Sequence, residues 1–97
     1  MTDPGPPHIL LLGRDTCDDT MRSIALLERT DVPFTYLHVD TDAGADAWIR
    51  RLNDGGWRTP TILIGDPERP DAILREPSDP DLLAAIGRAW AGSGPRA

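Results

Sequence analysis

The chain has 97 residues, which is enough for one domain with a single modest core and too few for two. Its formal net charge is −6, from 16 acidic and 10 basic residues, and all ten of those basic residues are arginine. An acidic chain without a basic stripe argues against binding to nucleic acid or to an anionic membrane.

The two ends of the chain are rich in glycine and proline. We therefore expect Met1–Pro7 and Gly92–Ala97 to be mobile, and residues 8–91 to form one domain, which we expect to be monomeric. The N-terminus has neither a basic region nor a long apolar stretch, so it does not resemble a secretion signal. The longest apolar run, Ile9–Leu12, is far too short to span a bilayer. A single cysteine cannot form an internal disulfide, which favours a reducing cytoplasm.

The first part of the chain predicts a strand, a helix and a second strand. His8–Gly13 is an apolar run that ends in glycine, which is typical of a buried strand. Thr16–Thr30 predicts a helix, and it opens at Thr16 with the S/T-x-x-D/E pattern of a helix start. Pro33 ends that helix. In Phe34–Asp40, Phe, Tyr and His alternate with Thr, Leu and Val, which predicts a second strand. The apolar residues at helical spacing are Met21, Ile24 and Leu27.

The remainder predicts a helix, two strands and a last helix. Apolar residues between Ala45 and Leu52 recur on one helical face before a glycine-rich turn. Thr61–Ile64 predicts a third strand, and Ala72–Arg75 a short fourth strand in a hairpin with it. Ser78–Asp81 combines a capping side chain, a proline and two acids, and so predicts a helix start. Its apolar face continues through Leu82, Leu83, Ile86 and Trp90.

The predicted order is therefore β-α-β-α-β-β-α. A strand, a helix and a strand in succession require a crossover connection, which makes the first two strands parallel. The last two strands are joined by a short turn and can be antiparallel. The sequence thus predicts an α/β fold with a four-stranded mixed sheet flanked by three helices.

Cys17, the single cysteine, lies at the first junction between a strand and a helix. The segment Arg14–Cys17 resembles the basic-x-T-C motif of the glutaredoxins, with arginine in place of the usual lysine. Arg58–Thr61 resembles their T-V-P segment, in which the proline is cis and faces the active cysteine. The resemblance covers about His8–Trp90 and implies a thioredoxin-like fold. The run VDTDAGADAWIRRLNDGGWRTPTILIGD most resembles the mycoredoxin-like branch, which uses mycothiol rather than glutathione.

The active-site motif departs from that family. Where glutaredoxins carry C-x-x-C, or C-G-F-S in the cluster-binding branch, this chain has Cys17, Asp18, Asp19 and Thr20. Without a second thiol, dithiol reduction of protein disulfides is not expected, and the cluster-binding signature is absent. The resemblance therefore implies monothiol chemistry, in which Cys17 attacks a mixed disulfide between a protein and a low-molecular-weight thiol. Mycothiol or glutathione would be a co-substrate, with no bound cofactor.

The resemblance also implies roles for the residues near the cysteine. Arg14 and Arg58 would bind carboxylates of the small thiol, because arginine binds a carboxylate through two parallel hydrogen bonds. The backbone of Thr59, before the cis proline, would align an extended peptide. Asp79 lies where the start of the last helix would meet the small thiol's amino end. The candidate site comprises Cys17 as the nucleophile, with Arg14, Thr16, Thr20, Arg58, Thr59, Pro60 and Asp79 as substrate-binding residues.

The reactivity of Cys17 depends on opposing electrostatic effects. A helix N-terminus and Arg14 lower the pKa of a nearby thiol, whereas Asp18 and Asp19 disfavour the thiolate through like charge. Each effect is worth roughly 0.3–1 kcal/mol, so the balance stays open from the sequence. Our hypothesis is a weakly activated thiol, to which the hydroxyl of Thr20 can donate a hydrogen bond.

Two other functions compete with this interpretation. The first is a redox-silent thioredoxin-fold module that holds an extended peptide in the groove around Pro60, as the two acids and the missing second thiol suggest. The second is an enzyme resembling arsenate reductase, which would need a cluster of arginines, whereas the sequence offers only Arg58 near the third strand. His8 and His38 form no metal-binding pattern with the single cysteine, so a zinc site is not expected.

Four further side chains have structural interpretations. Asp19 is expected to cap the first helix, and Trp48 and Trp90 are expected in the core. Trp57 follows two glycines and has two alternatives: it either lies exposed beside the cysteine or folds back on the sheet.

Overall fold

The computed structural model describes residues 5–92 of the chain. Of the two segments expected to be mobile, residues 1–4 and 93–97 lie outside the described residues. The predicted element order is confirmed. The elements are β1 (Ile9–Gly13), α1 (Asp18–Arg29), β2 (Thr35–His38), α2 (Ala43–Leu52), β3 (Thr61–Asp66), β4 (Arg69–Arg75) and α3 (Asp79–Gly92).

The sheet is mixed, with the strand order β2-β1-β3-β4. β1 lies in the interior and is buried along its whole length, which explains its unbroken apolar sequence. It pairs in parallel with β2, with Leu11 opposite Tyr36, and antiparallel with β3, with Leu11 opposite Ile62. β3 and β4 form the predicted antiparallel hairpin. The four-stranded mixed sheet and three helices make up a thioredoxin-like fold of the predicted order.

The apolar residues of the sheet divide between its two faces, because successive side chains of a strand point in opposite directions. Ile9 and Leu11 pack against α1 and α3 in one buried cluster, which we call the α1/α3 cluster. Leu12 points the other way and packs in a smaller cluster, the α2 cluster, formed with Val39, Ala45 and Ile49. The sheet is therefore covered by α1 and α3 on one face and by α2 on the other.

Strand ends differ from the predictions by a few residues. β2 is shorter than the predicted Phe34–Asp40, and β4 is longer than the predicted Ala72–Arg75. The extension of β4 depends on an irregularity in pairing between Ile64 and Gly65, where Gly65 has a φ of 98°. A Cβ at this glycine would also lie 2.7 Å from Asp71. A glycine is thus needed there for the hairpin to continue past the irregularity.

The prediction that the first helix starts at Thr16 is wrong. Its N-cap is Cys17, which has extended backbone angles of −99° and 119°, and the helix begins at Asp18. The cysteine N–H donates to the carbonyl of Arg14 at 3.2 Å, so Thr16 lies inside a turn rather than at the helix start. The turn displaces the helix start from the position indicated by the capping pattern.

The prediction that Trp90 is a core residue is also wrong, since 42% of its surface is exposed. The buried face of α3 starts at Leu82 and recurs at Ala85, Ile86 and Ala89, which places Trp90 one position beyond that face. Trp48, by contrast, is half-buried and packs against the α2 cluster as expected. Within residues 5–92, no helix has the length and apolar character needed to cross a membrane.

The α1/α3 cluster should dominate stability. Leu27 is fully buried in it, whereas Leu83 on α3 is 45% exposed. Leu27→Ala is expected to lower the free energy of unfolding by about 2–5 kcal/mol, since it removes buried methyl groups and leaves a cavity. The matched control, Leu83→Ala, should change it by no more than about 0.5 kcal/mol. Urea denaturation measures both, and equal losses would contradict the assignment of the core.

Candidate active site around Cys17

Cys17 lies where α1, the turn after β1 and the segment before β3 meet. It is half-buried, and its Sγ donates to the carbonyl of Thr59 at 3.3 Å. The peptide bond between Thr59 and Pro60 is cis, as the resemblance implied. Both of these residues are buried. The chain fold therefore brings the cysteine and the cis proline together, although they are far apart in sequence.

The position of Cys17 as the N-cap of α1 has a direct chemical consequence. An N-cap side chain is placed to accept hydrogen bonds from the N–H groups two and three residues later, here those of Asp19 and Thr20. Partial burial raises the pKa of the Cys17 thiol. This rise is outweighed by hydrogen bonds from the side chains of Thr59 and Thr20 and from the backbone of Thr20 and Asp19, which hold the pKa below its usual value. The balance that the sequence left open thus favours the thiolate.

Thr20 occupies the position of the second cysteine of a C-x-x-C motif. It is fully buried, and its hydroxyl has no hydrogen-bond partner while the cysteine is a neutral thiol. An unpaired buried hydroxyl costs about 1–3 kcal/mol, and this cost is relieved when the thiolate becomes its acceptor. A Cβ on Gly13 would lie 2.7 Å from the Thr20 hydroxyl oxygen, so the glycine that ends β1 leaves the room that Thr20 occupies.

Neither of the two acids after the cysteine caps α1. The carboxylate of Asp19 pairs with Arg22 at 2.8 Å, and no side chain caps α1, so the expectation that Asp19 is a capping acid is wrong. The first N–H groups of α1 are available to Cys17 because the sulfur, and not a carboxylate, lies at the N-cap position. Asp18 is exposed to solvent. Pairing and solvation both weaken the effect of these charges on the thiolate.

Arg14 and Trp57 form one side of the site. The guanidinium of Arg14 lies 5.6 Å from the centre of the Trp57 ring, and its buried Nε has no hydrogen-bond partner. The indole N–H of Trp57 donates to Asp46 on α2 at 2.7 Å, and the ring packs against the α2 cluster. Of the two alternatives for Trp57, the structure selects the one in which it folds back on the sheet. It thereby supports Arg14 by a cation–π contact.

Arg58 is paired with Glu76 in this structure. Its Nε and one Nη lie 3.1 and 3.0 Å from the same carboxylate oxygen, and both side chains are well exposed. The N–H of Glu76 donates to the carbonyl of Pro60 at 2.9 Å, which fixes this ion pair beside the cis proline. Exposed pairs of this kind are worth about 0–1 kcal/mol, so a ligand carboxylate can displace Glu76.

Asp79 is the first residue of α3 and interacts with two arginines of α1. Its carboxylate lies 3.6 Å from Arg22 and 3.9 Å from Arg29. Arg22 also donates to the carbonyl of Pro77 at 3.1 Å, so these contacts join the start of α3 to α1. The predicted role of Asp79 in binding the small thiol stays a prediction, as does that of the exposed Thr16.

Sequence reasoning missed a polar cluster on the β2 side of the cysteine. The Tyr36 hydroxyl donates to Asp15 at 2.8 Å, and the Nε2 of His38 lies 3.3 Å from the same carboxylate oxygen. The signal was available, since parallel strands end at the same edge of a sheet. The end of β2 must therefore lie beside the turn that follows β1.

Other features of the described region carry no chemistry that we can assign. A groove of about 610 Å³ lies at the far end of α1 from the cysteine, between Leu27 and Phe34. Among residues 5–92, no three His, Cys, Asp or Glu side chains are grouped so that they could hold a metal ion.

Comparisons with known proteins do not identify a family. No protein-family model matches the chain, and no curated protein is similar enough to be a relative.

The hydroxyl of Thr20 can be tested directly. Thr20→Val keeps the shape and removes the hydroxyl, so the pKa of Cys17 is expected to rise, while Thr20→Ser keeps the hydrogen bond and most of the effect. Since only the thiolate reacts, the alkylation rate of Thr20→Val should fall below that of wild type at any pH under the wild-type midpoint. The pH dependence of alkylation by iodoacetamide measures this, and an unchanged midpoint in Thr20→Val would count against the hydrogen bond.

Proposed function

We propose that this protein is a glutaredoxin-like monothiol thiol–disulfide oxidoreductase. It reduces mixed disulfides between proteins and a low-molecular-weight thiol through Cys17. The observation that supports this most strongly is the sulfur at the N-cap of α1, with a lowered pKa and in contact with the residue before a cis proline. A free, half-buried thiol of this kind fits a reducing cytoplasm.

The reaction proceeds in two exchanges. The Cys17 thiolate attacks the small-thiol sulfur of the mixed disulfide, the old S–S bond breaks, and the protein leaves as a thiolate that takes a proton from solvent. A second small thiol, as its thiolate, then attacks the new disulfide on Cys17. This releases a small-molecule disulfide and regenerates the Cys17 thiolate. The electron pair that the protein sulfur gains is supplied in the end by the attacking small thiol, mycothiol or glutathione, whose sulfur leaves in the small-molecule disulfide.

The surrounding residues supply alignment and charge stabilisation. The hydroxyls of Thr20 and Thr59 and the α1 backbone stabilise Cys17 as an attacking group and as a leaving group. The backbone of Thr59 and Pro60 lines the place where the disulfide must lie. Arg14, three residues before Cys17, and Arg58, two residues before Pro60, are the cations that would bind the carboxylates of the small thiol. Since Thr20 replaces a second thiol, resolution depends on the small thiol alone.

The contacts of the two arginines favour a second candidate function, that of a peptide-binding module. Arg58 is already paired with Glu76, and Arg14 lies against Trp57, so neither arginine is free in this structure. A redox-silent module would use the groove at Pro60 to hold an extended peptide without bond exchange. Binding of such a peptide would persist in Cys17→Ser and would be unaffected by added glutathione or mycothiol.

Turnover tests the proposed function. Glutathione and mycothiol mixed disulfides of a cysteine peptide are supplied with an excess of the matching thiol, and release of the free peptide is followed. Wild type is expected to turn over at least one of them, and Cys17→Ser to show only the background rate. Serine is a good N-cap, so this control keeps the start of α1. The proposal fails if wild type does not exceed Cys17→Ser with either substrate.

The Arg58–Glu76 pair predicts a change in substrate binding. Glu76→Gln frees Arg58 for a carboxylate, so KM for the glutathione mixed disulfide is expected to fall about two- to fivefold with kcat unchanged. Arg58→Gln should raise KM. Glu68→Gln, which removes an exposed acid from the turn between β3 and β4, controls for net charge. Equal changes in KM for Glu76→Gln and Glu68→Gln would show that bulk charge, not this ion pair, is responsible.

A further inference from the structure

The cluster of Asp15, Tyr36 and His38 converges on a single atom. The Tyr36 hydroxyl donates to Asp15 Oδ1 at 2.8 Å, and the Nε2 of His38 lies 3.3 Å from that oxygen. The rings of Tyr36 and His38 also support each other, with centres 4.1 Å apart and planes inclined by 34°. Two side chains of β2 therefore hold one carboxylate of the turn that precedes α1.

Strand pairing explains why these three residues meet. Tyr36 lies opposite Leu11 and His38 opposite Gly13, so the two side chains share one face of β2 at the end nearest the turn. The N–H of Val39 donates to the carbonyl of Gly13 at 2.9 Å and extends the pairing to the last residue of β1. Asp15 comes two residues later, within the turn that Cys17 closes by donating to Arg14.

The same turn delivers the reactive sulfur, which makes the charge of Asp15 relevant to it. Three acids lie within two residues of Cys17, and an ionised carboxylate that approaches the sulfur disfavours the thiolate. Asp19 is paired with Arg22, and Asp18 is exposed to solvent. Asp15 has no arginine partner among the described residues. Its carboxylate instead accepts a hydrogen bond from Tyr36 and contacts His38.

We propose that Tyr36, supported by His38, is a positioning residue for Cys17. It holds the Asp15 carboxylate at the β2 side of the turn and so limits the opposition of that charge to the thiolate. The inference rests on the proposed function, since it concerns the reactivity of the same cysteine. Tyr36 acts through Asp15 and touches no reacting atom.

The hydroxyl of Tyr36 remains a donor throughout the titration of the cysteine. Burial, the hydrogen bond to Asp15 and the negative charges of Asp15, Asp40 and Cys17 all raise the pKa of Tyr36 above its usual value. Tyr36 therefore stays protonated while Cys17 changes from thiol to thiolate, and its hold on Asp15 persists.

The proposal predicts opposite effects for two conservative substitutions. Tyr36→Phe keeps the ring against His38 but releases Asp15, so the Cys17 thiolate becomes less favourable and alkylation by iodoacetamide slows about two- to fivefold below the midpoint pH. Asp15→Asn keeps an oxygen that can accept the hydrogen bond from Tyr36 but removes the charge, so alkylation speeds up. In an Asp15→Asn background, Tyr36→Phe should have no further effect, because no charge remains to be held.

The experiment measures the pH dependence of alkylation for wild type, the two single variants and the double variant. Asp40→Asn is the matched control, because Asp40 also acts on Tyr36 by its charge but is not hydrogen-bonded to it in the described structure. Its effect should add to that of Tyr36→Phe without coupling. Thermal unfolding of each variant confirms that the fold is intact.

Two results would overturn the proposal. One is an unchanged midpoint in Tyr36→Phe, and the other is a shift that persists in the Asp15→Asn background, as expected if Tyr36 only packs against the sheet. Alkylation needs no disulfide substrate, so these outcomes are independent of turnover. A protein that follows the predicted pattern but shows no turnover would refute the proposed function alone.

Discussion

The contact between the Cys17 sulfur and the Thr59 carbonyl joins two segments that lie 42 residues apart in the chain. One is the turn after the central strand β1, and the other precedes β3, which pairs antiparallel with β1. Because β1 pairs with both β2 and β3, the start of α1, the end of β2 and the cis proline are brought to one edge of the sheet. The meeting of Cys17 with Thr59 and Pro60 depends on that arrangement.

The pKa of the Cys17 thiol is lowered although three acids lie near it in the sequence, and the sulfur lies at the N-cap of α1. In that position it lies at the start of α1, where the first backbone N–H groups of the helix lower the pKa of the thiol. Asp19 and Asp15 each interact with a different partner. Arg22 holds Asp19, and Tyr36 with His38 holds Asp15. The hydrogen bonds to Cys17 outweigh the effect of burial and keep the pKa of the thiol below its usual value.

The arginines near the site make different structural contacts. Arg22 joins α1 to the start of α3, and Arg14 lies on the Trp57 ring, which in turn is anchored to α2 through Asp46. Only Arg58 is held by a single exposed pair. Breaking the Arg58 pair therefore costs little, whereas Arg14 and Arg22 hold neighbouring elements together.

The order of elements, the mixed sheet and the location of Cys17 at a helix start were all predicted correctly, because they follow from local periodicity, turns and the crossover rule. It misjudged the start of α1 at Thr16 and the burial of Trp90, since a turn at Arg14 and the exact face of α3 shift each by a residue or two. Polar contacts between different elements could be found only in the folded structure. Tyr36 and Asp15 are 21 residues apart, and Arg58 and Glu76 are 18 apart. Such pairings depend on strand register in space, and no spacing within a single helix or strand encodes them.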